Sequence, residues 1–430
     1  MNRIKKIINQ SISFKQVLLS GGTTFVYRIA GLLLNFFITI FITKNFGPSI
    51  FGNFSLVLTI LQATTMIFAL GLPNALINYL GVNKIDDHFS QFLLKKGLKI
   101  VLISALIPSS IYFVLKNTIA TTVFHNQNLV DYILIVAIIL PFSIAHEFFL
   151  NFFVATKNFL KFNVFMFVLP NIFFLLLLFL FAISEENQYV TFIFYAISIL
   201  ITVLIELFFV FKKHTKTNIK KMSSYQILQF SSPMMLSSLM LFLLNWTAVF
   251  MLGAMVSEQE VGIYNLAYKL ASLAMLVIIS MNIVLAPKIA ELYKTNNLKE
   301  LHSVIKKSTH LVIILTAPIV LFLVFFSSFV LGVFGSNFVQ GKTALIIISI
   351  GVMLNVLTGN VDQILNMTSH QNTLKNITIF GFILNVLLNL ALIPIYGING
   401  AAIASLITNL VFNFICLFYI KKKLGFYTFG

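Results

Sequence analysis

Apolar residues in this chain neither alternate nor keep to one helical stripe; they run in long blocks separated by short polar turns. Such blocks fall near residues 17–43, 53–80, 98–115, 129–155, 162–183 and 189–211, and again near 226–256, 262–286, 309–334, 342–368, 374–393 and 398–420. A bilayer core of roughly 30 Å takes about 20 residues of helix, so the pattern predicts an all-α polytopic membrane protein with twelve transmembrane helices. The two sets of six share more than their number. Gln16, Leu18, Leu33, Leu34, Asn35, Gly52 and Leu56 fall without a gap on Gln226, Leu228, Leu243, Leu244, Asn245, Gly262 and Leu266. The chain reads as a duplication. Six is an even number of spans, so both copies take the same orientation, as an internal parallel repeat about the membrane normal. The expected organisation is a six-helix lobe over 1–211, a basic linker over 212–225 and a second six-helix lobe over 226–430.

Composition agrees: 59% hydrophobic and only 10% charged residues exclude a soluble domain. Lys and Arg mark cytoplasmic connections. Here they cluster at Arg3–Lys15, Lys84–Lys99, Lys157–Lys161, Lys212–Lys221, Lys288–Lys307, Lys375 and Lys421–Lys423, all in alternate connections. The opposite connections hold only Lys44, Lys116 and Lys342, with the acidic turns Glu185–Glu186 and Glu258–Glu260. Both termini are therefore expected in the cytoplasm, and the net charge of +17 reads as topology and anionic-lipid contact rather than a nucleic-acid surface. Met1–Phe14 interleaves Ile4, Ile7, Ile8 and Ile12 with Arg3, Lys5 and Lys6, which suits either an amphipathic helix on the membrane or a basic tail. The single Cys416 excludes a disulfide framework and a cysteine metal site. No H-E-x-x-H, acid pair of metal spacing or phosphate-binding glycine loop occurs, so transport ranks above catalysis, with no metal or cofactor expected.

A charge near mid-span costs at least about 2.5 to 3.5 kcal/mol, yet Arg28, Glu147, Glu206, Lys269 and Asp362 fall within apolar runs. They mark either a pathway or internal ion pairs. Arg28 sits halfway along its run, where snorkelling is hard, and a guanidinium can hold a phosphate through two parallel hydrogen bonds. Lys269 lies closer to a helix end and can alternatively snorkel. Glu147 and Asp362 are candidates for cation coupling or for neutralising the two cations. Glu206 is expected to reach water at the end of its helix. Asn35 and Asn245 occupy equivalent places in the repeat and suit hydrogen bonding between helices or a polar cavity wall.

Three stretches carry a family likeness: FGPSIFGNFSLVLTI from Phe46, GLPNALINYL from Gly71, and LNVLLNLALIPIYGINGAAIASLITNLV over Leu384 to Val411. In the last, Asn389, Ile393, Pro394, Gly397, Gly400, Ala401 and Ala402 stand at the family's spacing. Over essentially its whole length the chain resembles the polysaccharide-repeat-unit (O-antigen, Wzx-type) flippases of the multidrug/oligosaccharidyl-lipid/polysaccharide (MOP) exporter superfamily. The resemblance implies movement of undecaprenyl-diphosphate-linked oligosaccharide across a bacterial inner membrane by cation-coupled alternating access. The protein would act as a monomer, alongside membrane lipids and the polysaccharide polymerase machinery. It also implies that Arg28 and Lys269, on the first and eighth helices, hold the diphosphate. The chain departs from the flippases of cell-wall precursors in having no basic residue in its second helix and no extra C-terminal helix pair. A multidrug or small-cation antiporter of the same superfamily is the alternative. A membrane-embedded polymerase or ligase is a second one, though it would need a large external loop that this sequence lacks.

Overall fold

With no water to satisfy a free amide or carbonyl, an apolar chain in a bilayer must bond its backbone within each segment, and the apolar blocks accordingly form helices. The computed structural model describes residues 2–82, 87–181, 188–211 and 223–428. In order these form α1 (Asn2–Phe68), α2 (Leu72–Val82), α3 (Asp87–Thr118), α4 (Leu129–Ala155), α5 (Phe159–Asn163), α6 (Leu169–Phe181), α7 (Val190–Val210) and α8 (Ser224–Met255). The second half follows with α9 (Glu258–Lys294), α10 (Leu298–Phe325), α11 (Ser327–Gly332), α12 (Lys342–Thr358), α13 (Val361–Met367) and α14 (Gln371–Leu424). Among the described residues nine stretches are long and apolar enough to cross a membrane, which makes this a multi-pass membrane protein. The expected amphipathic start, Met1–Phe14, is helical from Asn2 as part of α1, and its side chains lie outside the described residues.

The two longest helices each contain a non-helical glycine. In α1 it is Gly47 (φ 75°, ψ −177°), followed by Pro48; in α14 it is Gly397 (φ 55°, ψ −132°), three residues after Pro394. Both have positive φ, which a Cβ disfavours. A Cβ at Gly400 would then strike the Leu392 carbonyl oxygen, so the two arms of α14 close on each other only because that residue is small. These are the glycines and prolines of the FGPSIFG and IPIYGING stretches.

The chain forms two compact units, one of Met1–Asn45 with Ile60–Leu239, the other of Phe46–Thr59 with Met240–Gly430. Each unit thus takes a segment from the opposite half of the sequence. Most of the expected linker, 212–222, lies outside the described residues. In the first unit α4 is central, packed by α2, α3 and α7. Its buried face carries Tyr132, Phe148 and Phe149, and Gly97 of α3 admits the Phe148 ring. Large apolar side chains on α3, including Ile103, Leu106, Phe113 and Val114, stay exposed, as expected of a lipid-facing surface.

In the second unit α12 packs against α9, α10 and α14. One end is closed by Ile289, Leu301, Ile305, Ile364, Leu365, Cys416, Leu417 and Ile420, all buried together. At the other end α9 starts with a capping box: Ser257 and Glu260 exchange side chain and backbone hydrogen bonds at 3.4 and 3.2 Å. Beside it Gly52 and Gly262, which the repeat superposes, pack backbone to backbone. The contact is reciprocal. A Cβ at Gly52 would sit on the Glu258 carbonyl oxygen and one at Gly262 on that of Pro48, and each would lie 2.9 Å from the other glycine's amide nitrogen. Asn53 adds a hydrogen bond from its side-chain amide to Glu258 Oε2 at 2.7 Å.

Candidate functional site

Arg28 is placed by the faces of α1. At 3.6 residues per turn, Thr24, Arg28, Gly31 and Asn35 share one side, and the exposed Val26, Ile29, Leu33 and Phe37 form the opposite one. The arginine is half-buried and turned away from the lipid-facing stripe. Two contacts fix this side. Asn163 donates from its side-chain amide to Thr24 Oγ1 at 3.0 Å, and a Cβ at Gly31 would lie 2.7 Å from the Phe167 carbonyl oxygen. Arg28 is therefore level with a π-helical turn, Val164–Val168, that links α5 to α6.

That turn follows from Pro170. Without an N–H it cannot bond the Met166 carbonyl, and the helix widens so that Leu169 N–H reaches Val164 O instead. Asn171 donates from its side chain to the Phe167 carbonyl at 2.9 Å. Pro170 was visible in the sequence as a source of free carbonyls; the turn beside Arg28 was not. Asn163→Leu removes the fully buried amide that ties α5 to Thr24 and is expected to lower stability by about 1 to 2 kcal/mol, read as a shift in the midpoint of thermal unfolding in detergent.

Among the described residues no carboxylate lies within ion-pair distance of Arg28; the two ion pairs present are His146–Glu206 and Lys288–Glu291. Lys269 belongs to the second unit. Because α9 begins at Glu258 rather than near 262, Lys269 stands about 16 Å along the helix at 1.5 Å per residue, farther from its start than the sequence suggested. It is half-buried, and its carbonyl accepts from the Ser272 hydroxyl at 2.7 Å. Its neighbour Tyr268 stacks on Tyr264 (6.4 Å between centroids) and lies 6.1 Å from Trp246, the only tryptophan of the chain.

The remaining candidates separate. Glu147 is half-buried on α4 and accepts from the Asn151 amide at 2.9 Å. Asp362 does not lie midway along an unbroken span: α12 ends at Gly359 (φ 74°), and Asp362 is exposed in the first turn of α13, where a carboxylate suits the helix N-terminus. Asn35 is half-buried and its carbonyl accepts from the Thr39 hydroxyl at 2.7 Å. The Asn245 side chain lies outside the described residues.

Glu206 corrects the sequence reading outright. It does not reach water: it is fully buried and paired with His146. The spacing Thr191, Ser198, Thr202, Glu206 would have revealed this, since seven, four and four residues keep all of them on one face of α7, away from the exposed Leu204 and Phe208.

Against known proteins, the sequence profile of the polysaccharide biosynthesis protein family matches residues 21–293. The chain belongs to that family. A second profile, MatE, matches residues 233–391. Two curated relatives come from Haloferax volcanii. The probable low-salt glycan biosynthesis flippase is 26% identical over 44% of this chain and 41% of its own length, and the probable flippase AglR is 26% identical over 38% and 35%. The chain thus spans about two-fifths of the length of these relatives. Among solved structures, an inward-facing multidrug resistance MATE family transporter of the MOP superfamily is similar with a TM-score of 0.76 at 16% identity, over 92% of this chain and 94% of that one. The lipid II flippase MurJ, in an inward closed conformation, gives 0.74 at 15% identity over 94% and 87%. At such identities the likeness is one of fold: this member of the polysaccharide biosynthesis family shares the fold of these two proteins.

Proposed function

We propose that the protein is a flippase for a lipid-linked oligosaccharide, carrying polyprenyl-diphosphate-linked repeat units across the membrane for polysaccharide synthesis. In a bacterial inner membrane the carrier is undecaprenyl diphosphate. The observation that carries the reading is Arg28: an arginine turned from the lipid, halfway along an apolar helix and with no described carboxylate to neutralise it, in a chain of the polysaccharide biosynthesis family. A guanidinium so placed suits a diphosphate, and Lys269 is a further candidate cation for the substrate. Alternating access exposes the site to one leaflet at a time while the lipid tail stays in the bilayer. A cation gradient gives direction, taken up through a carboxylate such as Glu147 or Asp362. The MatE match supports a second reading, a small-molecule antiporter of the same fold, for which a site with an unpaired cation is poorly suited to cationic drugs.

The test is the leaflet occupied by labelled repeat units in a strain lacking the protein but otherwise able to make the polysaccharide. Complete units are expected to accumulate on the cytoplasmic face and to cross when the wild-type protein is restored. Units that reach the outer face without it, and merely stay unpolymerised, would sink the flippase reading in favour of a polymerase.

A further inference from the structure

The first unit buries an ionisable pair to which diphosphate binding assigns no task. His146 Nδ1 of α4 lies 3.0 Å from both Oε1 and Oε2 of Glu206 on α7. The glutamate is 0% exposed and the imidazole 13%. Polar groups continue along the same seam. Thr202 donates to the Ser198 carbonyl at 2.7 Å and Ser198 to that of Tyr195 at 2.6 Å, while Thr191 Oγ1 and, on α4, Ser143 Oγ are buried with no hydrogen-bond partner among the described residues. A buried ion pair rarely adds stability over well-packed apolar groups. Four polar residues on the buried face of α7 point to a task other than cohesion.

We propose that the His146–Glu206 pair is a proton-binding site that couples proton flow to transport. This rests on the transporter reading above. In the unloaded state neutral imidazole donates its Nδ1–H to the carboxylate, leaving one net negative charge in the interior. Loading transfers a proton from hydronium to Nε2: an O–H bond breaks, an N–H bond forms, water departs and the site becomes a neutral imidazolium–carboxylate pair. Nothing is oxidised or reduced. Because an unbalanced buried charge is costly, occupancy by the proton is linked to how closely α4 packs on α7, and a conformational cycle can draw on that linkage.

The charged surroundings suit release toward the lysine-rich end, where clustered cations disfavour an added proton. Glu147, adjacent on α4, acts on the pair through its charge. From α3 come the exposed Lys95 and Lys99 and the half-buried Lys96, whose Nζ lies 5.6 Å from the Phe92 ring centre. From α5 comes Lys161, with Nζ 4.8 Å from the Phe209 ring of α7 and 5.9 Å from the Phe153 ring of α4. From α7 the next titratable side chain is Tyr195, three turns away; α2 carries Tyr79, whose side chain lies outside the described residues. Thus among the described residues Glu147 is the one further carboxylate near the pair, and the cations gather where α3 and α5 begin.

Two measurements on the full-length protein in liposomes test this. The first is an infrared difference spectrum between acid and alkaline pH. The wild type and Arg28→Ala are expected to show an imidazole protonation band that both His146→Gln and Glu206→Gln remove or displace. The second is translocation of lipid-linked repeat units with the receiving side one pH unit more acidic. Up to about tenfold stimulation is expected for one proton per cycle, and it is expected to vanish in His146→Gln and Glu206→Gln. A wild-type spectrum without the band, or gradient stimulation that survives in both variants, overturns the proposal and leaves a static ion pair. If the wild type shows the band but moves no repeat units, the proton site stands and the flippase reading falls.

Discussion

Gly262→Leu is expected to leave the second unit unable to close, with Gly52→Leu doing the same from the other side. At this crossing the neighbours of a new Cβ are backbone atoms: the Glu258 carbonyl against Gly52, the Pro48 carbonyl against Gly262, and each glycine's own amide nitrogen 2.9 Å from the other's Cβ position. Overpacking against side chains commonly costs 1 to 3 kcal/mol because rotamers can give way. Here relief requires separating two helices that are also tied by the Asn53–Glu258 hydrogen bond. A loss of about 3 kcal/mol or more follows. Cys416 supplies the readout. It is the only cysteine, is fully buried, and belongs to the apolar cluster of the same unit, so a thiol-reactive fluorophore reports its exposure on heating in detergent. Gly332→Ala is the control, since the nearest atom to a Cβ there is Val339 Cγ2 at 4.0 Å. A Gly262→Leu protein melting within about 2 °C of wild type would mean that the crossing is not as tight as these distances state.

This contact was half visible in the sequence. The 210-residue register superposes Gly52 on Gly262, and two equivalent glycines each starting a helix are what a reciprocal crossing needs. Alignment cannot say whether equivalent residues meet or merely resemble each other, because contact depends on how the helices are set together. The apolar runs were legible for the same reason that they fold: a bilayer leaves the backbone few options, so 129–155 and 189–211 were found almost to the residue as α4 and α7. Run length could not show internal breaks, which need only one residue. Gly359 splits the expected run 342–368 and moves Asp362 to an exposed first turn. Among the charges, Arg28 was legible because nothing near it in sequence could explain it. The His146–Glu206 pair was not, because its partners are sixty residues apart and the place of Glu206 near a helix end suggests access to water.

Arg28→Ala is expected to reduce the appearance of repeat units in the outer leaflet by about 30-fold or more, since removing one member of a desolvated charge pair costs about 2 to 5 kcal/mol of binding. Arg28→Lys is expected to recover only part of this, because an ammonium keeps the charge but not the planar fork that grips a diphosphate. The competing explanation, an arginine retained for structure, predicts something different. A structural arginine would leave a partner orphaned when removed, and both substitutions would lower the unfolding midpoint together with export. Around Arg28 the described residues offer no carboxylate to orphan. The helix is held instead by the Thr24–Asn163 hydrogen bond and the Gly31–Phe167 contact, on either side of the arginine. Export should therefore fall while the midpoint of thermal unfolding in detergent stays near that of the wild type, and the two measurements on one sample separate the explanations. Wild-type export in Arg28→Ala would remove the arginine from the path, and with it the main physical support for a diphosphate substrate.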